Sequence, residues 1–403
     1  MSATIDTTTE IRTFSVEIAQ EQIDNLRRRI EATRWPTSEL VQDASQGIQL
    51  AFLQELARYW AEDYDFGRLE ERLNALPQYK TKIDGLDIHF IHVKSKNENA
   101  LPLIITHGWP GSVIELLGVV GPLTDPTGHG GRSEDAFDLV LPSLPGYGFS
   151  AEPITVGWDP GCVARGWAEL MNRLGYGRYV AQGGDVGSAV SDAMAIQAPE
   201  GLVGIHLNFL RRLPPDVTAA LAGRAPVPEL TEEERAAFDA YHAQFTKGYI
   251  AEQGQTPQTI GYSLTDSPVG LAAWILDHDA DSYEKISRAL LEDHPAGELT
   301  PDRILDNVTL YWLTSTPTSA ARIYWESGRA AVAAAGQPPP EVSLPVAFTV
   351  FPGEIFRAPR SWAEKVYPNL IYFNKVDRGG HFAAWEEPEL FASEMRAAFS
   401  SLR

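Results

Sequence analysis

The chain has 403 residues, of which 44% are hydrophobic and 22% are charged, as is typical of a soluble globular protein. Its 54 acidic residues against 33 basic ones give a formal net charge of -21, and a field of this sign excludes nucleic acid and membrane surfaces as expected partners. The single cysteine, Cys162, excludes an internal disulfide and favours a reducing, cytoplasmic compartment. The first residues show no secretory signal, and no apolar run reaches the roughly 18 residues of a membrane helix.

Residues 1–84 are predicted to form a mostly helical N-terminal arm. Within residues 15–32, aliphatic residues recur at helical spacing with charged residues between them. A second amphipathic stretch covers residues 50–76 and is rich in Trp, Tyr and Leu. Neither stretch carries a catalytic motif, so we expect the arm to pack on a larger domain.

From residue 85 the pattern changes to short apolar runs that alternate with helical segments. The predicted strands are residues 88–93, 103–106, 137–141, 179–182, 202–207, 346–351 and 370–373. Continuous apolar strands separated by helices indicate an α/β protein with a mostly parallel, doubly wound sheet. The alternation stops between residues 207 and 346, where helical periodicity predicts a helical cap inserted into the core. The predicted units are the arm (1–84), a first core segment (85–212), the cap (213–340) and a second core segment (341–403).

The most informative motif is GGDVG at residues 183–187, which follows a predicted strand and precedes a helical segment. This is the arrangement of the nucleophile elbow in an α/β-hydrolase fold, with Asp185 at the position of the nucleophile. The motif alone leaves open an ordinary glycine-rich turn in which Asp185 caps the helix. A carboxylate that attacks an alkyl carbon leaves an ester that water can hydrolyse, so an aspartate here indicates epoxide opening or halide displacement.

The expected partners of Asp185 follow from the chain order of this fold, which is nucleophile, acid, histidine. His381, within RGGHF, follows the last predicted strand and is the expected base. Glu354 follows the strand at 346–351 and is the expected acid. Asp377 is its rival, but a carboxylate only four residues before the histidine suits a loop position better.

Two backbone N–H groups are expected to form an oxyanion hole. The predicted strand 103–106 leads into HGWPGS at residues 107–112, a loop of the kind that supplies one donor in this fold. The other donor comes from the residue after the nucleophile. The expected donors are therefore the N–H groups of Trp109 and Val186, since Pro110 has no N–H to offer.

With these residues assembled, the sequence resembles the microsomal-type epoxide hydrolases over nearly its whole length. The likeness rests on EIAQEQIDNLRRRIEATRWP near the N terminus and on HGWPGS, LPSLPGYGFS, DSPVGLAAWI, LYW and RGGHFAAWEEP further on. The resemblance implies hydrolysis of a small-molecule epoxide to a vicinal diol through a covalent ester on Asp185, without a metal or an organic cofactor.

The resemblance also implies two cap tyrosines that bind and protonate the epoxide oxygen. By local context they map to Tyr249, in KGYIAEQG, and Tyr311, in NVTLYWLT. The alternative interpretation is that both are packing residues of cap helices. Tyr262 and Tyr324 are the competing tyrosines that we do not select.

Three aromatic residues, Trp109, Phe149 and Trp274, are expected to line the substrate pocket. Animal relatives carry an N-terminal membrane anchor that this sequence does not show, so we expect no membrane anchor. The excess of Arg over Lys and the abundance of Ala are typical of a bacterial protein. The sequence leaves the oligomeric state open, and a homo-oligomer is compatible with it.

Two rival functions remain at this point. A haloalkane dehalogenase uses the same nucleophile and base, but it needs N–H donors for a halide, often from a Trp beside the nucleophile, where this chain has Val186. A non-catalytic binding protein of the same fold would be expected to lose at least one of Asp185, Glu354 and His381, and all three are present. An epoxide hydrolase is therefore the favoured interpretation.

Overall fold

A computed structural model describes residues 9–297, 299–334, 337 and 340–403. Residues 1–8, on which the prediction of no secretory signal partly depends, lie outside this part of the chain. The strands are β1 (Arg12–Phe14), β2 (Gln78–Ile83), β3 (Leu86–Val93), β4 (Leu101–Thr106), β5 (Phe137–Pro142), β6 (Tyr179–Gly183), β7 (Leu202–Leu207), β8 (Val346–Val350) and β9 (Leu370–Lys375).

The α-helices surround this sheet and fill the interval between β7 and β8. They are α1 (Gln20–Glu31), α2 (Leu50–Glu62), α3 (Phe66–Asn74), α4 (Val120–Thr124), α5 (Pro160–Arg173), α6 (Asp185–Gln197), α7 (Pro215–Leu221), α8 (Glu232–Phe245), α9 (Gly248–Gln255), α10 (Pro257–Asp266), α11 (Pro268–Leu276), α12 (Ala280–Leu291), α13 (Pro301–Leu313), α14 (Pro317–Ala333), α15 (Arg360–Val366), α16 (Ala383–Glu386) and α17 (Pro388–Ala398). No helix of the described residues is long and apolar enough to cross a bilayer.

The nine strands form one sheet in the order β1-β2-β3-β5-β4-β6-β7-β8-β9. Strands β5, β4, β6, β7, β8 and β9 are parallel to one another, which confirms the predicted α/β architecture, and β3 pairs with β5 in antiparallel fashion. The direction of winding reverses between β4 and β6, whose last residues, Thr106 and Gly183, are paired in register. Such a switch point opens a crevice at the carboxyl ends of the strands, where α/β proteins bind ligands.

All seven predicted strands are confirmed, with ends that shift by at most two residues. The prediction of a mostly helical arm missed β1 and β2, which extend the sheet in antiparallel fashion from β3. Strand β2 has the sequence QYKTKI, in which lysines alternate with buried or half-buried residues. A strand of this kind lacks the continuous apolar run that predicts the buried strands.

The arm also binds the helices that lie between β7 and β8. Arg72 of α3 forms an ion pair with Asp306 of α13, and the Tyr64 hydroxyl donates to the same carboxylate at 2.7 Å. The Trp60 indole donates to the Thr309 hydroxyl of α13 at 2.9 Å. These contacts fix α13 to the arm on one side of the inserted helices.

Candidate active site

The GGDVG motif forms the turn between β6 and α6, at the switch point of the sheet. Asp185 is the first residue of α6 and has a φ of 47°, a left-handed conformation that is strained for a residue with a side chain. A Cβ at Gly183 would lie 2.0 Å from the Gly187 carbonyl oxygen, and a Cβ at Gly187 would lie 1.9 Å from the carbonyl oxygen of Thr106. The turn therefore has room only for glycine on either side of the strained aspartate, as in a nucleophile elbow.

His381 and Glu354 meet beside this turn. The Nδ1 of His381 is 2.6 Å from Oε1 of Glu354, and its Nε2 is 3.9 Å from Oδ2 of Asp185. Burial acts to lower the pKa of His381, but the charges of Glu354 and Asp185 outweigh it, so this pKa lies above its usual range. The rival acid, Asp377, lies elsewhere: its side chain is 85% exposed and pairs with Arg378. The structure therefore brings Glu354, and not Asp377, to the histidine.

The HGWPGS loop reaches Asp185 from β4. The N–H of Trp109 donates a hydrogen bond to Oδ1 of Asp185 at 2.9 Å. This bond fixes the carboxylate and leaves Oδ2 on the side of His381. Val186, the other expected donor, follows Asp185 in α6 and lines the larger cavity described next.

Two cavities reach Asp185, and it is the one lining residue that they share. The larger has a volume of about 390 Å³ and is lined mainly by apolar side chains of α6, α8, α9 and α14. The smaller, of about 30 Å³, contains His381, Glu115, Gln182 and Asn208. A space of this size with these polar side chains accommodates one or two water molecules, since each needs about 10–15 Å³. The carboxylate thus faces a mainly apolar chamber and a small one of mixed lining.

Tyr249 and Tyr324 line the larger cavity together with Asp185. The Tyr249 hydroxyl accepts a hydrogen bond from Nε2 of Gln244 at 2.7 Å, so its own proton is uncommitted. The Tyr324 hydroxyl has no hydrogen-bond partner among the described residues. Burial, reinforced by the charge of Asp185, raises the pKa of both phenols well above their ordinary value, which keeps both protonated.

The expectation for Tyr311 does not agree with this geometry. Its hydroxyl donates to the carbonyl oxygen of Gly111 at 2.7 Å, and the residue lines neither cavity. Tyr311 therefore holds α13 against the HGWPGS loop. The second phenol at the larger cavity belongs to Tyr324 and not, as expected, to Tyr311. Tyr262, the other competing tyrosine, is 70% exposed.

Two of the three expected pocket residues also lie outside both cavities. Phe149 packs its ring against Phe14 of β1 and against His89, at the junction of arm and core. Trp274 of α11 donates its indole N–H to Oε1 of Gln253 at 3.2 Å. Trp109 does lie at the site, where its ring stacks on Tyr249 with centroids 5.0 Å apart.

Three residues at the site were not identified from the sequence. Gln244 binds the Tyr249 hydroxyl, Glu115 lines the smaller cavity, and His278 packs on His381 with ring centroids 4.5 Å apart. Burial raises the pKa of Glu115 to about 8. Glu115 follows the HGWPGS loop by three residues and His278 follows DSPVGLAAWI by three residues, which are signals that could have found them. Gln244 lies in α8, where no motif marks it. His278, His381 and Asp185 are also the described residues that come close enough together to hold a metal ion.

Comparison with known proteins places these features in a family. Residues 11–116 match the family model described as "Epoxide hydrolase N terminus". The chain is 49% identical to a protein of Stigmatella aurantiaca over 98% of this chain and 86% of that protein, and 37% identical to Epoxide hydrolase 1 of Sus scrofa over 96% and 88%. The crystal structure of juvenile hormone epoxide hydrolase from Bombyx mori is 32% identical and superimposes with a TM-score of 0.86, covering 98% of this chain and 95% of that one. The chain belongs to the epoxide hydrolase family.

Proposed function

We propose that this protein hydrolyses epoxides to vicinal diols through a covalent ester on Asp185. The observation that carries this proposal is the position of the Asp185 carboxylate between two chambers. One chamber presents two uncommitted phenol protons, and the other is lined by His381, whose Nδ1 is bound by Glu354. This division supplies an acid for ring opening on one side and a base for ester hydrolysis on the other.

The first step is alkylation of the carboxylate. Because the Trp109 N–H holds Oδ1, Oδ2 of Asp185 is the oxygen that attacks an epoxide carbon. The new C–O bond forms as the ring C–O bond breaks, and the electron pair moves to the epoxide oxygen. Tyr249 and Tyr324 bind this oxygen and one of them transfers its proton. The product of the step is a hydroxyalkyl ester of Asp185.

The second step is hydrolysis of that ester. A water molecule in the smaller cavity gives a proton to Nε2 of His381 and attacks the ester carbonyl carbon. The negative charge of Asp185 is one cause of the raised pKa of His381. Esterification removes this charge and so lowers the pKa of His381, which makes the neutral imidazole available as a base. Glu354 stabilises the imidazolium, and the N–H groups of Trp109 and Val186 stabilise the oxyanion. Collapse of the intermediate breaks the bond between the carbonyl carbon and the alkyl oxygen, and His381 returns its proton to that oxygen as the diol leaves. The proton that remains on the carboxyl group replaces the one that the phenol gave up, so the Asp185 carboxylate, the imidazole and the phenol are all restored.

The apolar lining of the larger cavity favours an apolar epoxide. Its walls include Phe209, Phe245, Ile250 and Ile323, with Arg211 as a charged residue at the same cavity. The rival dehalogenase reaction has no use for two phenol donors at this position. Turnover of a chlorinated alkane with release of halide, but without diol from styrene oxide, would support that rival.

We also propose that the protein acts in the cytoplasm. Its single cysteine, Cys162, is buried and free, which suits a reducing compartment. Cell fractionation with an antibody against the chain tests this location.

A single turnover in heavy-oxygen water tests the covalent mechanism. With enzyme in excess over styrene oxide, one diol oxygen comes from the epoxide and the other from Asp185, so the diol is expected to be mostly unlabelled. Mass spectrometry should then find the label in the peptide that contains Asp185. The matched control is Asp185→Asn, which should form no diol on this time scale. Label that appears directly in the diol from the first turnover would show that water attacks the epoxide itself.

A further inference from the structure

A second histidine–carboxylate pair lies against the first. His278 occupies the short connection between α11 and α12 and is 1% exposed. Its Nδ1 is 2.9 Å from Oδ2 of Asp279, whose Oδ1 accepts the N–H of Ser282 and so caps α12. Its Nε2 is buried and has no hydrogen-bond partner in the described part of the chain. A buried ring nitrogen without a partner is costly, and the helix cap explains Asp279 but does not explain this nitrogen.

His381 is held in the same way. Its Nδ1 is bound by Glu354, and its Nε2 is directed at the Asp185 carboxylate. Each imidazole therefore has its Nδ1 bound by a carboxylate, while Nε2 of His381 faces Asp185 at 3.9 Å and Nε2 of His278 has no hydrogen-bond partner among the described residues. Metal-binding histidines in proteins have this arrangement, because the outer carboxylate orients the ring and increases the basicity of the free nitrogen.

We propose that Asp185, His278 and His381 form a binding site for a divalent transition-metal ion such as Zn²⁺, and that occupation of this site inhibits the enzyme. One ligand atom from each residue lies within 4.8 Å of the other two. Tetrahedral Zn²⁺ at about 2.0–2.2 Å from each ligand needs them roughly 3.4 Å apart, so side-chain shifts of about 1 Å complete the site. The ligand atom that we assign to His278 is its Nε2, which has no partner among the described residues.

The donor set selects the class of metal ion. Two imidazoles and one carboxylate suit Zn²⁺, Co²⁺ and similar ions, whereas Mg²⁺ and Ca²⁺ prefer oxygen ligands alone. The three carboxylates of Asp185, Asp279 and Glu354 surround the position and provide the negative charge that offsets a divalent cation. A fourth coordination position remains for water, as in zinc sites with three protein ligands.

Cobalt binding tests the site without any substrate. Co²⁺ is added to the metal-free wild-type protein, and the visible absorption of four-coordinate cobalt is recorded, with titration calorimetry of Zn²⁺ as the second measurement. We expect one ion to bind per chain and Mg²⁺ to leave the signal unchanged. Wild-type protein that gives no such absorption and binds no Zn²⁺ would overturn the proposal.

Variants of the ligands and of their surroundings locate the ion. Changes outside the ligand shell lower metal affinity about 10- to 100-fold, so Asp279→Asn should fall in this range and His278→Gln, which removes a ligand, should lose more. The matched control is His242→Gln, which removes an exposed histidine of α8 and should bind as the wild type does. Equal affinity in His278→Gln and wild type would refute the assignment. If His278→Gln does not fold, Asp185→Asn removes a different ligand and gives the same decision.

Inhibition is the part of this inference that rests on the proposed function. A bound ion occupies both the nucleophile and the base, so Zn²⁺ should reduce styrene oxide turnover in the wild type along the same concentration curve as binding. A protein that binds cobalt but does not hydrolyse epoxides would refute the proposed function and leave the metal site standing. A protein that hydrolyses epoxides at full rate with the ion bound would refute the inhibition.

Discussion

The positions of Tyr324 and Tyr311 lead to a prediction in which two similar substitutions affect different quantities, the rate of alkylation and the stability of the fold. Tyr324→Phe removes a hydroxyl that faces the larger cavity and has no hydrogen-bond partner among the described residues. Tyr311→Phe removes a hydroxyl that satisfies the buried carbonyl of Gly111. The first change should therefore reduce the rate of alkylation, whereas the second should reduce the stability of the fold.

The magnitudes follow from what each hydroxyl contacts. Loss of a hydrogen bond to a developing oxyanion costs about 3 kcal/mol or more, so Tyr324→Phe should slow alkylation roughly 100- to 1000-fold with little change in stability. Loss of a donor to a buried carbonyl costs about 1–3 kcal/mol of folding free energy, so Tyr311→Phe should unfold at lower denaturant and alkylate nearly normally. Tyr249→Phe combined with Tyr324→Phe removes both phenols and should be almost inactive.

The assay is a rapid-quench single turnover with styrene oxide, in which the ester on Asp185 is measured by mass spectrometry. Urea unfolding of each variant supplies the free energy of unfolding. Tyr262→Phe is the matched control, because this ring is exposed and should change neither quantity. A large loss of alkylation in Tyr311→Phe at unchanged stability, together with a normal rate in Tyr324→Phe, would refute our assignment of the phenols.

Two further predictions concern the smaller cavity. His381→Gln removes the base but not the nucleophile, so the Asp185 ester should accumulate and be seen in the mass of the intact protein; a folded variant that forms no adduct would contradict this order of steps. The pKa of Glu115 rises from 4.5 to about 8 on folding, so the folded state holds the extra proton and stability falls as the pH rises between these values. This fall in the free energy of unfolding is worth up to about 4 kcal/mol between pH 5 and pH 8. Urea unfolding of Glu115→Gln should show no such fall, and an unchanged pH dependence of stability in the variant would contradict the raised pKa of Glu115.

The sequence was sufficient for those parts of the site that lie on strand ends. Asp185 and Glu354 follow the buried strands β6 and β8, and His381 follows the half-buried β9. Their apolar runs are recognised by composition, and the sheet brings the carboxyl ends of these strands together. The helices between β7 and β8 offer no such reference position. Tyr311 and Tyr324 both lie on long helices, α13 and α14, and only the packing of these helices decides which phenol reaches the cavity.

The same reasoning explains the errors in the arm and the pocket. Phe149 lies in a glycine-rich loop, but its ring packs against Phe14 of β1 and not in the pocket. Strand β1 was not predicted, because the arm was expected to be mostly helical. An unforeseen strand at the edge of the sheet therefore removed one aromatic residue from the expected pocket. Local patterns identify elements, whereas the partners of a side chain are fixed by contacts between distant elements.

The attachment of the arm to α13 has a consequence for how the protein unfolds. Helix α13 precedes α14, which carries Tyr324 and packs against α9, the helix that carries Tyr249. Asp306 is fully buried beneath Arg72, so release of the arm would leave a carboxylate without its counter-charge inside the protein. The arm, the inserted helices and the sheet should therefore lose their structure in one cooperative step, and the position of the phenols is as stable as the whole molecule.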